Sequence, residues 1–261
     1  MVSLKAAMRH QIILAALGER GQASVSELVE RLGVSGVTVR EDLRILEADH
    51  QLVRSRGGAL ARDDNHPEQP LETTRKANVA AKRAIGAAAA ALVSKGQKII
   101  VDVGSTTTAL AEALPPSATD VTVITNAINI ALLLERKGGC TIVVTGGTLR
   151  PLQHSLVAPL GTLLLERLNA DVAFLGCNGV NARQGFTNSN LAEAEIKQAM
   201  IASAGRIVFL ADHTKLGAAA AAFVARLGQV DLLITDDGAD PRMLAELRNA
   251  GLEVMVAPRL P

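Results

Sequence analysis

Tryptophan and tyrosine are absent from this 261-residue chain, and phenylalanine occurs four times, as Phe174, Phe186, Phe209 and Phe223. Single-stranded nucleic acid is held by stacking its bases on aromatic faces, so an RNA-binding sheet or a single-strand channel is a poor reading. Cysteine is scarce as well: Cys140 and Cys177 stand far apart, with no CxxC. Two such residues support neither a disulfide framework nor a zinc site and read as buried, reduced thiols. The five histidines are scattered without an HExxH or HxH pair, so nothing asks for a metal or a cofactor. An excess of one charge is missing too. Lys+Arg total 27 and Asp+Glu 26, a net charge of +1, which argues against a polybasic coat. The short apolar run at 12–17 cannot span a bilayer and precedes no convincing cleavage site; the expected location is cytoplasmic, with no membrane partner.

What is present describes a folded protein: 48% hydrophobic and 20% charged residues, and enough length for two domains with sizeable cores. Composition changes near residue 61, where ARDDNHPEQPLETTRK is polar, holds two prolines and almost no apolar residue. That is linker composition. The expected organisation is a domain over 1–60, a linker over 61–76 and a second domain over 77–261.

Punctuation places three helices in the first domain. One covers about 4–18; a second opens at Ser24, where Ser-Val-Ser-Glu is a capping box, and Gly33 ends it. The third starts at the N-cap Ser35 and runs to about 51. At 100° per residue Val39, Leu43 and Leu46 share a core face, which leaves Val37, Arg40, Glu41 and Arg44 opposite. A recognition helix presents such a set to the major groove: arginine for guanine edges, an apolar group for a thymine methyl, a carboxylate for cytosine N4. Residues 52–60 then read as a hairpin with a Gly57-Gly58 turn, and 50–62 hold Arg54, Arg56 and Arg62 without an acid. A basic wing of this kind sits on phosphates or in the minor groove.

The run Val34-Ser35-Gly36-Val37-Thr38-Val39-Arg40-Glu41-Asp42-Leu43-Arg44-Ile45-Leu46-Glu47, followed by Arg54-Ser55-Arg56-Gly57-Gly58-Ala59, resembles the winged helix-turn-helix of DeoR-family bacterial transcription regulators. The resemblance implies contact with double-stranded operator DNA by Ser35, Val37, Thr38, Arg40, Glu41, Arg44, Arg54 and Arg56.

Beyond the linker, β-branched runs near 98–103, 121–125, 141–145, 172–176, 206–211, 231–235 and 253–257 alternate with helical stretches near 106–114, 127–137, 155–168, 191–204 and 241–250. The alternation predicts an α/β domain with a mostly parallel sheet covered on both faces. The alanine runs at 87–91 and 218–222 favour helix. Small polar loops follow the strands, and in open parallel sheets ligands bind outside the carboxyl ends of strands. Asp102 leads into Gly104, Ser105, Thr106 and Thr107, which open a helix and suit phosphate. Asn126, Gly146, Gly147 and Arg150 follow the next two strands, and Asn178 and Gly179 the fourth. Thr187 lies in a polar loop at 184–190. Glu193 is also a candidate effector contact, although Asn190 to Glu193 fits a capping box and so gives it a structural explanation, while Glu195 and Lys197 read as solvated helix charges. Lys215, past a later strand, is the preferred cation for a phosphate.

This order of loops resembles the DeoR-family sensor domain, which is related to ribose-5-phosphate isomerase and CoA-transferase-like folds. The resemblance implies a phosphorylated sugar as effector, a homo-oligomer on DNA (dimer or tetramer), and a repressor of carbohydrate genes. The alternative is an isomerase-like enzyme. It is disfavoured because Asp237-Gly238-Ala239-Asp240, which matches the isomerase acid motif, comes too late in the chain, and the loop at 176–179 has no carboxylate base.

Overall fold

The computed structural model describes residues 6–20, 22–48, 52–55, 57–61, 70–115, 118 and 120–260. It divides into two compact units, 1–68 and 69–261.

In the first unit, α1 (Ala6–Arg20) is followed by β1 (Gln22–Ser24), α2 (Val25–Leu32), α3 (Gly36–Ala48), β2 (Leu52–Ser55) and β3 (Gly58–Ala61). The Ser24 capping box forms, and Gly33 closes α2 in the left-handed conformation at φ 64°. Val39, Leu43 and Leu46 are buried with Ile13, Leu17, Leu28 and Leu52, so the helical spacing of the third helix is the spacing of its core. The hairpin gains a third strand that periodicity did not show: β1 pairs antiparallel with β3, giving the order β1-β3-β2. Gly58 is what lets β1 approach, since a Cβ there would lie 2.2 Å from the Ala23 carbonyl oxygen.

The second unit opens with α4 (Leu71–Lys76) and α5 (Val79–Ala90), and its strands and helices then alternate. They are β4 (Lys98–Val101), α6 (Ser105–Ala113), β5 (Val121–Thr125), α7 (Ile128–Lys137), β6 (Cys140–Val144), β7 (Thr148–Arg150), β8 (Ser155–Val157) and α8 (Leu160–Leu165). After these come β9 (Val172–Gly176), β10 (Gly179–Asn181), β11 (Gly185–Asn188), α9 (Leu191–Ala202), β12 (Ile207–Leu210), a 3₁₀ turn (His213–Lys215), β13 (Ala222–Ala225), a second 3₁₀ turn (Leu227–Gln229), β14 (Leu232–Asp236), α10 (Pro241–Asn249) and β15 (Val254–Ala257).

Seven strands form one wholly parallel sheet in the order β15-β14-β12-β9-β4-β5-β6. Apolar clusters cover both faces, one around Ile85, Leu110 and Phe174, the other around Phe186, Met200 and Phe209. The chain starts in the middle at β4, runs outward through β5 and β6, and returns to place β9 on the other side of β4. The carboxyl ends of β4 and β9 therefore flank the point where strand order reverses, where a crevice opens in folds of this kind.

Three sequence expectations fail here. The helix expected at 155–168 is instead β8, paired antiparallel with β7, followed by the short α8. Pro159 has no N–H for an interior helical bond, so a helix cannot run unbroken through it, and it stands instead as the N-cap of α8. Residues 184–190, expected as a loop, contain β11, which pairs with β10 and β13 in a separate antiparallel sheet. The alanine run at 218–222 forms no helix: residues 218–221 are irregular, and Ala222 opens β13, paired with Asn188 of β11, so tertiary pairing outweighs alanine's modest helical preference.

Candidate functional site

Two sets of residues stand out, one in each unit. On α3, Ser35 caps the helix by accepting the Thr38 N–H at 3.2 Å, and its hydroxyl lies 2.9 Å from that of Thr38. Val37 is 74% exposed, and Arg40, Glu41 and Arg44 are exposed on the same side. Arg44 donates to Glu41 through Nε at 3.0 Å and Nη2 at 2.7 Å. The opposite face is fixed to α1. Arg9 grips the buried Asp42 with two hydrogen bonds, at 2.7 and 2.9 Å, and His10 Nε2 lies 3.2 Å from the same carboxylate. Burial would raise the Asp42 carboxyl, but the Arg9 hydrogen bonds and charge, with His10, hold it below its usual value. Arg54 extends from β2, with its backbone N–H on Glu47 at 3.2 Å. Arg56 and Arg62 lie outside the described residues.

In the second unit some of the expected residues are linked by hydrogen bonds past the carboxyl ends of the strands. Asp102 is fully buried: its Oδ2 accepts the Gly176 N–H at 3.1 Å and the Lys197 ammonium, while its Oδ1 is enclosed without a hydrogen-bond partner. Burial pushes this carboxyl up, opposed by the Lys197 charge and hydrogen bond. Gly104, at φ 148°, turns the chain into α6, and no side chain caps that helix. Thr107 and Thr108 spend their hydroxyls on the Gly104 carbonyl, at 3.0 and 2.6 Å, so what the first turn still offers is backbone N–H. Ser105 and Thr106 occupy that same turn.

Asn126 ties this turn to its neighbour by accepting the Val103 N–H at 2.9 Å and donating to the Leu156 carbonyl at 3.4 Å. Beside Leu156, Ser155 donates to Glu193 at 2.7 Å, and the same carboxylate takes Arg150 and, at 3.2 Å, Asn188. Gly146 and Gly147 make the positive-φ turn between β6 and β7 that leads to Arg150. Asn178 and Thr187 are already engaged, Asn178 with the Ser189 N–H at 3.0 Å and Thr187 with the Gly179 carbonyl at 3.1 Å. Lys215 is half-buried; its backbone N–H donates to the Asp212 carbonyl at 2.9 Å, and its ammonium has no ion-pair or hydrogen-bond partner among the described residues. Its charge bears on Cys177, whose thiol is pushed up to about 12 by burial.

Glu193, a candidate effector contact that a capping box also explained, and Lys197, read as a solvated helix charge, are both buried. The Glu193 N–H does donate to the Asn190 side-chain oxygen, as in a cap, but its carboxylate faces inward, to Ser155, Arg150 and Asn188. Lys197 is not solvated; it is buried against Asp102. Their separation of four residues on α9 was the available signal, since it puts both on one face. Asp237-Gly238-Ala239-Asp240 forms the turn after β14, where Asp240 caps α10 by accepting the Arg242 N–H at 2.8 Å. Among the described residues no group of three or more His, Cys, Asp or Glu could hold a metal, and no helix is long and apolar enough to cross a membrane.

The family model of the DeoR-like helix-turn-helix domain matches residues 9–65, and that of the DeoR C terminal sensor domain matches 77–237. The chain belongs to the DeoR family. Relatives in this family include the uncharacterized HTH-type transcriptional regulator YulB of Bacillus subtilis, 34% identical over 97% of both chains. The HTH-type transcriptional regulator GlpR of Haloferax volcanii is 34% identical over 95% of this chain and 97% of its own. A putative aga operon transcriptional repressor of Escherichia coli O157:H7 is 33% identical over 95% of this chain and 93% of its own. Ribose 5-phosphate isomerase A of Neisseria gonorrhoeae superposes with a TM-score of 0.39, at 18% identity over 51% of this chain and 52% of that one. As a DeoR-family member the chain is a DNA-binding transcriptional regulator, not an enzyme.

Proposed function

We propose that this regulator represses genes of carbohydrate metabolism, and that a phosphorylated sugar bound at the β4–β9 reversal changes its grip on operator DNA. Three unmet groups around one crevice support the ligand reading. The uncapped N-terminus of α6 offers N–H donors and the positive end of a helix dipole. Lys215 offers an ammonium unpaired among the described residues. The enclosed Oδ1 of Asp102 is an acceptor without a donor, which a sugar hydroxyl can supply. The unpartnered Asp102 oxygen is the observation that carries most, because a buried polar atom without a partner is costly unless something completes it. Arg150 is held in place by Glu193 and can reach an anion only from a fixed position.

On the DNA side, Val37, Arg40, Glu41 and Arg44 read base edges, Ser35 and Thr38 meet phosphate at the start of α3, and Arg54 with Arg56 form the basic wing. A homo-oligomer would present two such helices to two half-sites. The repressor reading draws support from a relative named as an aga operon repressor. A thermal-shift screen of sugar monophosphates against their unphosphorylated forms tests the ligand. Stabilisation by a phosphorylated sugar alone, lost in Lys215→Ala, is expected; equal stabilisation by the unphosphorylated sugar would remove phosphate from the reading.

A further inference from the structure

Lys82 takes no part in the loops described above, yet it is only 6% exposed. It stands in the first turns of α5, and its Nζ donates to the carbonyl oxygens of Thr74 and Ala77, both at 2.6 Å. Thr74 belongs to α4 and Ala77 is its C-cap, so the ammonium sits at the negative end of that helix. On its other side Asp212 Oδ2 lies 3.8 Å away. The second oxygen of Asp212 caps the 3₁₀ turn that carries Lys215, accepting the Thr214 N–H at 3.0 Å. Burial and then the charge of Lys215 press Lys82 toward its neutral form, and Asp212 opposes them. One buried ammonium is thus shared between the turn bearing Lys215 and the end of α4. With six residues and no side-chain cap at its N-terminus, α4 cannot rely on its own hydrogen bonds.

We propose that Lys82 is a positioning residue that carries occupancy at Lys215 to α4, the helix that directly follows residues 62–69 in the chain. An anion at Lys215 adds negative charge on the Asp212 side of the ammonium and draws it from the Thr74 and Ala77 carbonyls, which loosens the end of α4. The two placements of Nζ supply the two-state element that coupling between sites requires. The proposal rests on the reading of Lys215 as the anion's contact.

Its test uses the full chain and begins without ligand. Hydrogen exchange at the α4 amides is expected to quicken in Lys82→Met and to slow in Asp212→Asn, which removes the charge that competes for the ammonium; the double variant should match Lys82→Met, and Lys82→Arg should stay near wild type. An Asp212→Asn variant that quickens exchange, leaves it unchanged, or shifts it equally in the Lys82→Met background overturns the link whatever the ligand is. Ribose 5-phosphate, glucose 6-phosphate and fructose 6-phosphate then serve as probes. One that raises the wild-type melting temperature should also raise that of Lys82→Met. Its effect on operator affinity, about 5- to 150-fold for coupling of ordinary size, should fall below about twofold in that variant. An undiminished operator response in Lys82→Met overturns the proposal. Should none of the three move the wild-type melting curve, that outcome counts against the ligand reading, and the exchange cycle decides the role of Lys82 by itself.

Discussion

On α3 the side chains of Glu41 and Arg44 pair while remaining 54% and 60% exposed; in the sensor unit Asp102 and Lys197 pair at 0% and 2%. The chemistry is the same, a carboxylate and a cation, but the two pairs are built for different events. An exposed pair in water gains little from its contact, so DNA can take either member at small cost. A buried pair has already met its desolvation cost and cannot exchange partners cheaply. On the reading proposed above, the exposed pair faces DNA and is cheaply broken, while the buried pair is already formed before any ligand arrives. Asp42 shows that depth decides this rather than domain: one residue from Glu41, it is buried and clasped by Arg9 and His10.

Removing one member of the buried pair should break this contrast most severely. Lys197→Ala leaves the Asp102 carboxyl without its cation and should cost about 3–5 kcal/mol in urea unfolding, the usual toll for orphaning a buried charge. A loss as small as that of a surface substitution would mean that the pair is not the anchor described. Next in size, Arg40→Ala should weaken operator binding by about 1–3 kcal/mol and relax preference at one base pair, as seen by titrating single-base operator variants. Equal loss on every sequence would assign Arg40 to phosphate alone.

Asp42 sharpens the comparison through pH. Its folded carboxyl is held below its usual value of about 3.9, so its contribution to stability is full above that value and disappears as pH falls through the folded one. Acid unfolding of Asp42→Asn should accordingly show a flatter limb below about pH 4 than wild type, because the carboxylate that titrates there is gone. Smallest of all, Glu41→Ala should leave the urea midpoint where it is while changing which operator variants bind best. A clear loss of stability would show that the exposed pair is structural after all.

Much of this was legible in the chain itself, for reasons that differ between elements. The third helix declared its core face because Val39, Leu43 and Leu46 keep helical spacing against a charged opposite side. The seven parallel strands declared themselves as β-branched runs, since a strand buried on both faces has no polar positions to alternate with. What stayed hidden depended on contacts distant in sequence. Residues 155–157 became a strand because 148–150 were there to pair with, and at the end of the alanine run Ala222 joined β13 beside β11 rather than a helix. Lys197 looked like any helix lysine until the sheet order set β4 beside β9 and brought Asp102 under it. The loops at strand ends could be found from their small polar residues, but which hydroxyls remained free could not. Thr107 and Thr187 turned out to be spent on carbonyls.

The central claim is that a phosphate group recognised at Lys215 and the start of α6 alters operator affinity. Fluorescence anisotropy of an operator selected from random duplexes tests it most directly, with wild type and Lys215→Ala titrated in the presence of a stabilising sugar phosphate and of the same sugar without phosphate. The account predicts that the phosphorylated form shifts the wild-type operator Kd by at least about fivefold and that the unphosphorylated form does not. Lys215→Ala should bind operator like wild type and ignore both. A response to the unphosphorylated sugar, or an undiminished response in Lys215→Ala, would contradict it.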